Sequence, residues 1–466
     1  MSYKLRDTAA ALLFLAVLLA GVLYLATGAY SQHFYAAGAG FRDTAKPPAA
    51  ARLAWQRPMT VPHRTQPPVS PSGVDPEAVS ERLLALDDEV ESTLTDLLDR
   101  DHGFIEAYGL VQRLLGRRVM EDVDSHYTVS RLSDGALSFA DPDNAYYDTS
   151  GHAQALADFR DTLAEELDIP LLYVQVPQKA SVYGESQLPD GLNDYGDAHA
   201  NTFLRALRER EVDCLDLRPV LAGTGRYSEL FFRTDHHWTP EGAFLAWQAV
   251  AEKLEEDYGY DFPLFSTNPD RWERTVLEDA FLGSQGKRVG GLYAGYDDFE
   301  LWKPKGKTSF EYKVPIQAYQ RTGSFEEALL FPERLKQTDP YEANPYTYYS
   351  GGDYPFARMK NLRNPDGPTI VLLRDSFACP FAPFMAMGCG ELVTIDLRYF
   401  RDDLMTYLRW VEADMVVVLY SPGSLTLDST FDFFYDPTQP AGRRPLTDVL
   451  GLEKPALRGR EEPPLG

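Results

Sequence analysis

The chain has 466 residues, 44% of them hydrophobic, which is enough for a sizeable core, and a formal net charge of −25 at pH 7. So acidic a balance excludes nucleic acid as the natural partner, because neutralising phosphates supplies most of that affinity, and disfavours lying flat on an anionic membrane. Three cysteines and no Cys-x-x-Cys pair leave neither a disulfide framework nor a structural zinc site, and no metal or other cofactor is expected.

Lys4 and Arg6 precede an uninterrupted apolar run from Ala9 to Ala26. A run of that length spans the roughly 30 Å hydrocarbon core, and the leading positive charge keeps the N-terminus cytoplasmic. Residues 1–30 are therefore expected to form the cytoplasmic N-terminus and a transmembrane anchor, with the rest of the chain extracytoplasmic. A signal peptide cleaved near Thr27-Gly28-Ala29 is the alternative, with the same destination for the domain. Residues 31–75, rich in Pro and Ala, make a stalk.

Asp75 and Pro76 suit the start of a helix reaching residue 100, and a second helix is predicted over 104–119. A hairpin over 128–139 turns at Asp134-Gly135. Helices over 152–167, 198–211, 240–256 and around 402–410 alternate with apolar strands at 170–176, 212–217, 369–373, 392–395 and 415–419. Continuous apolar strands between amphipathic helices predict an α/β fold with a mostly parallel sheet covered on both faces. Residues 258–355 interrupt the rhythm and suggest an insertion of hairpins and loops on one side of the sheet, so the domain is expected over 76–435, with a disordered tail over 436–466.

Two clusters carry chemistry. Thr234-Asp235-His236-His237-Trp238 leads into the helix at Pro240. Asp and His two apart in an extended segment share a face, so Asp235 can orient His237 as a general base. The alternative is a loop whose histidines cap the helix or fill a gap. In Arg374-Asp375-Ser376 a buried strand ends at a Ser, where ligands bind in open parallel sheets, although Asp375 and Ser376 could simply cap the next segment. A nucleophilic Ser needs a base and the base an orienting group, and the two clusters supply all three.

Residues 283–291 (GSQGKRVGG) do not have Walker spacing; they suit a hairpin turn or a loop approaching the site, and Gly351-Gly352-Asp353 is a similar case. Arg398 follows a strand and either faces the cleft or pairs with Asp396.

FFRTDHHWTPEGA, followed by LLRDSFACPFAPF and ELVTIDLRYF, resembles the signature blocks of the DHHW protein family, with further likeness in GFIEAYGLVQRLLGRR and the segment 281–312. That family is similar to the SGNH-hydrolase-like domains of alginate O-acetylation proteins. The resemblance implies Asp235 and His237 as an Asp-x-His pair and Ser376 as nucleophile, His236 keeping an open role. It implies transfer of acyl groups to, or their hydrolysis from, an extracytoplasmic polysaccharide, with a membrane O-acyltransferase as supplying partner. Arg374 stands where the usual Gly-Asp-Ser block has Gly, and Gly191-Leu192-Asn193-Asp194 fits the Gly-x-Asn-Asp letters or a plain turn. The Ser376 N–H, with Asn193, Gly352 or Arg398, is the candidate oxyanion hole, and His236 and Arg374 are further candidate oxyanion or substrate contacts. Two other readings remain: a non-catalytic glycan-binding or assembly protein, and a metal phosphoesterase drawing on Asp141 and Asp143.

Overall fold

Strand-to-helix alternation places an eight-stranded sheet at the centre of the chain. The computed structural model describes residues 102–122, 127–140, 146–317 and 319–438. The anchor, the stalk, the helix expected over 76–100, Asp141, Asp143 and the tail beyond 438 lie outside the described residues. Among those described, no helix is long and apolar enough to cross a membrane.

The strands in chain order are β1 (Val119–Met120), β2 (Val129–Arg131), β3 (Leu137–Phe139), β4 (Leu171–Gln175), β5 (Asp213–Asp216), β6 (Trp272–Phe281), β7 (Asp297–Pro304), β8 (Phe310–Val314), β9 (Tyr319–Gly323), β10 (Phe356–Asn361), β11 (Thr369–Arg374), β12 (Glu391–Ile395) and β13 (Met415–Tyr420). The main sheet runs β5-β4-β13-β11-β12-β10-β8-β9. Its β5-β4-β13-β11-β12 part is parallel, and β10, β8 and β9 continue it antiparallel. The region expected as an insertion beside the sheet therefore extends it: β8 and β9 are its edge, and β6 with β7 forms a separate ribbon. Alternation in Phe310–Val314, buried at every second residue, could have revealed β8.

In β4, β11 and β13 successive side chains go to opposite cores, as period-2 geometry demands. Leu172, Ile370, Leu372, Val417 and Leu419 pack on one face with Trp247 and Phe384. Tyr173, Val371, Leu373, Val416 and Val418 pack on the other with Phe203, Leu156 and Phe431. Each such aliphatic side chain contributes about 1.5–3 kcal/mol of transfer free energy, which explains why these strands lack the half-polar pattern of an exposed sheet.

The helices Ser150–Leu167, Gly196–Arg208 and Leu404–Val411 lie within a few residues of their predicted spans. Helix Pro240–Tyr258 starts as expected, with Pro at its first position and the Thr239 hydroxyl accepting the Gly242 N–H at 3.2 Å. The first described helix is shorter than expected, Gly103–Leu114. Helices Ala378–Gly388 and Asp428–Tyr435 were not anticipated; the former is buried throughout and carries Pro383 inside it.

Candidate active site

The Asp-His loop is closed by a bridge between Phe231 and Trp238, and its shape differs from the extended segment expected. Asp235 accepts the His237 backbone N–H at 3.0 Å, a side-chain turn that swings the two side chains together. The same Asp235 Oδ1 lies 2.5 Å from His237 Nδ1. Asp297 fixes the preceding residues from below, accepting the backbone N–H groups of Arg233 at 2.6 Å and Thr234 at 2.8 Å and the Thr234 hydroxyl at 2.6 Å.

Ser376 sits in the turn that follows β11. Asp375 sets that turn: its Oδ1 accepts the Phe377 N–H at 3.0 Å, and its Oδ2 accepts the Ser421 N–H at 2.8 Å and the hydroxyls of Ser421 and Ser424, both at 2.7 Å. Asp375 is thus anchored to the loop after β13, while Ser376 points the other way, its Oγ 2.7 Å from His237 Nε2. Its own N–H has no hydrogen-bond partner among the described residues. The structure therefore brings Asp235, His237 and Ser376 into one line, although 139 residues separate the last two.

Buried surroundings tune the line. Burial pushes the Asp235 carboxyl up, but His236, His237 and the Ser284 N–H outweigh it and hold the group well below the usual carboxylate range. The segment 283–291 is not a hairpin turn. It forms the short helix Ser284–Val289 against the site: Ser284 donates its N–H to Asp235 Oδ2 at 2.7 Å, and Gly283 donates to Thr234 Oγ1 at 2.8 Å. A Cβ on Gly283 would fall 2.3 Å from the Asp235 Cβ, so only Gly permits this approach. From the other side the Tyr346 ring stacks on His237, centroids 4.1 Å apart and planes at 20°. Neither Ser284 nor Tyr346 was singled out in the sequence; the 283–291 glycines were the only signal.

The remaining candidates fall elsewhere. His236 lies outside the Asp-His-Ser line, its ring 3.8 Å from that of His237 and its Nδ1 3.0 Å from Ser284 Oγ. Arg374, considered as an oxyanion or substrate contact, is only 3% exposed and is closed on Asp353 and on the Gly352 carbonyl at 2.8 Å. Gly352 thus serves as an acceptor in that framework. Arg398 makes the ion pair with Asp396, at 2.7 Å, and reaches Asp353 at 3.1 Å. Burial raises the Asp353 carboxyl, but these two guanidiniums more than reverse that and hold it at about 2. Around Asn193 the chain turns, with Leu192 N–H on the Pro189 carbonyl at 3.2 Å, and Asp194 accepts from Gln178 at 3.0 Å.

Donor atoms of Asp235, His236 and His237 lie within 4.8 Å of one another. Both ring nitrogens of His237 are already engaged, by Asp235 and Ser376, so a cation there would have to displace one of them.

Residues 139–270 match the family model described as the SGNH hydrolase-like domain of acetyltransferase AlgX. That segment is similar to an SGNH hydrolase-like domain. The match includes Asp235 and His237 and stops before Ser376. A probable alginate O-acetylase, AlgJ of Pseudomonas putida, is 37% identical over 100 residues, which cover 20% of this chain and 24% of that protein. The chain thus spans about a quarter of that relative's length. The fold extends the likeness: Bacillus cereus PatB1, in a structure with a sulfonyl adduct, superposes with a TM-score of 0.53 at 20% identity, over 67% of this chain and 98% of that one. A DHHW family protein from Eubacterium siraeum superposes with a TM-score of 0.53 at 16% identity, over 70% and 99%.

Proposed function

We propose that the protein is an acyltransferase or esterase that handles acetyl groups on a polysaccharide, with Ser376 as nucleophile, His237 as general base and Asp235 as the orienting carboxylate. The observation that carries this reading is the pair of contacts on one imidazole, Nδ1 to Asp235 at 2.5 Å and Nε2 to Ser376 at 2.7 Å. In that arrangement Asp235 fixes the tautomer with the proton on Nδ1, leaving Nε2 to accept the Ser376 proton as Oγ attacks the acyl carbonyl. The free Ser376 N–H is the donor offered to the tetrahedral oxyanion. Collapse expels the donor's leaving group, protonated by His237, and leaves an acetyl ester on Ser376. A sugar hydroxyl, or water, then attacks with His237 again as base.

The matches to acetyltransferase AlgX and to the probable alginate O-acetylase support acetyl as the group and polysaccharide as the acceptor class. The apolar run from Ala9 to Ala26 supports placing the domain outside the cytoplasm, where a membrane O-acyltransferase would supply the acyl group. The test is transfer of acetyl from a small activated ester to an oligosaccharide by the purified chain, beside its Ser376→Ala variant. Equal transfer by both would remove Ser376 from the reaction.

A further inference from the structure

Basic side chains are the minority in this chain, 45 Lys and Arg against 70 Asp and Glu, yet arginines gather beside the triad. The β2–β3 hairpin flanks the Asp-His loop: Leu137 donates its N–H to the Arg233 carbonyl at 2.7 Å, and the Phe139 ring centroid lies 6.0 Å from that of His236. At the hairpin turn Gly135 takes φ +87°, and the site of an absent Cβ there lies 3.1 Å from Arg233 Nη2 and 3.2 Å from Arg131 Nη2. Two guanidiniums thus converge on one point. Arg118 stands next to them, donating Nε to the Arg131 carbonyl at 3.0 Å.

None of Arg118, Arg131 and Arg233 has a carboxylate within ion-pair distance among the described residues. Two acids of the neighbouring segments are committed elsewhere. Asp134, in the turn itself, gives Oδ1 to the Ala136 N–H and Oδ2 to the Ser186 hydroxyl, and Asp122 pairs with Arg288 at 2.6 Å. A purely architectural role accounts for part of the set: Arg233 Nη2 holds the Asp134 carbonyl at 3.2 Å, and Arg118 Nη2 holds that of Gln187 at 3.3 Å. Each guanidinium has five donors, so those contacts leave most of the fork unspent. Two cations held together without a counter-charge repel each other, and a bound oxyanion removes that cost.

We infer that Arg131 and Arg233, with Arg118 beside them, form an anion subsite next to the triad that takes an oxyanion substituent of the sugar chain, a carboxylate or a phosphate. The inference rests on the reading of the neighbouring cleft as a glycan site. The subsite would set which sugar hydroxyl meets Ser376, because a bidentate guanidinium contact fixes orientation as well as distance.

The test is equilibrium binding to the full chain of four probes: trigalacturonate, its neutral counterpart cellotriose, glucose 6-phosphate and glucose. At about 0.1 M salt, where the distant acidic surface is largely screened, one anionic probe should bind at least tenfold more tightly than its neutral counterpart. The trigalacturonate and phosphate arms separate a carboxylate from a phosphate ligand. Raising salt to about 0.5 M should weaken that binding, and R131Q/R233Q should abolish the preference. R131K/R233K, which keeps charge and loses the fork, should recover part of it at most. Equal binding of anionic and neutral probes by the wild-type chain, or an unchanged preference in a folded R131Q/R233Q chain, would overturn the subsite. Acetyl capture by Ser376 is read in a separate assay, so either result leaves the proposed chemistry to its own test.

Discussion

Trp238 donates its indole N–H to the Phe377 carbonyl at 2.8 Å. The donor is the residue after His237 and the acceptor the residue after Ser376, so this one bond ties the His237 loop to the Ser376 loop. Trp238 is fully buried, and the same carbonyl also receives the Tyr346 hydroxyl at 3.2 Å.

Trp238→Phe keeps the bulk and removes the donor. Loss of a buried hydrogen bond costs about 1–2 kcal/mol, and the larger effect should be on rate: a drop of about tenfold or more in acetylation of Ser376, because small misplacement is expensive in a proton relay. Thermal unfolding and single-turnover kinetics separate the two. A variant that is destabilised yet acetylated at the wild-type rate would show that the bond serves folding alone.

Gly283→Ala places a methyl where the Asp235 Cβ and the Thr234 carbonyl already sit, 2.3 and 2.6 Å from the new carbon. The Ser284 N–H must then leave Asp235. The expected result is a loss of about 1–3 kcal/mol of stability together with a fall in acetylation of Ser376, read on a chain whose circular dichroism is unchanged.

Asp375→Asn replaces an acceptor of four hydrogen bonds by an amide with one acceptor oxygen. The Ser421 and Ser424 hydroxyls and the Ser421 N–H then face an NH2 group or must turn away. About 1–3 kcal/mol should be lost, and Ser424→Ala in the same background should cost less than it does alone, since the two residues share one network.

How much of this was legible follows from what each feature depends on. The parallel strands announced themselves because burial on both faces forces runs such as VLL and VVVL. Asp235 with His237, and Ser376 apart from them, could be picked out as two clusters whose chemistry is complementary, but the 2.7 Å contact between His237 and Ser376 is set by tertiary packing. The i to i+2 relation of Asp235 and His237 was anticipated for the wrong reason: a side-chain turn, not extended alternation, aligns them. Helix Ala378–Gly388 was hidden by Pro380 and Pro383; the first falls in the opening turn, where no N–H is needed, and burial holds the helix together past the second. Ser284 lies in a loop whose glycines suit a turn equally well; only the close approach to Asp235 explains Gly283.

Lys179 offers a test by pH. It is 3% exposed, and its ammonium donates to the carbonyls of Leu137 at 2.5 Å and Arg233 at 3.3 Å and to Gln285 Oε1 at 3.2 Å. Burial pulls it down from 10.5 to about 8, against the pull of Asp297, Asp235 and Asp134 and with the help of Arg233. Between those values the unfolded chain keeps a proton that the folded one has lost, so this residue makes stability rise with pH. Relative to Lys179→Met, the wild-type chain should gain on the order of 3 kcal/mol between about pH 8 and pH 10.5. Denaturant unfolding of both proteins across that range checks it, and a pH-independent difference would contradict it.

If Ser376 is a nucleophile activated by His237, mass spectrometry of the full chain after incubation with p-nitrophenyl acetate will register the acyl-enzyme. One added acetyl group is expected on Ser376, formed far more slowly in His237→Ala and absent in Ser376→Ala. A folded wild-type chain that gains no acetyl group, or gains it elsewhere at the same rate in all three proteins, would contradict that role for Ser376.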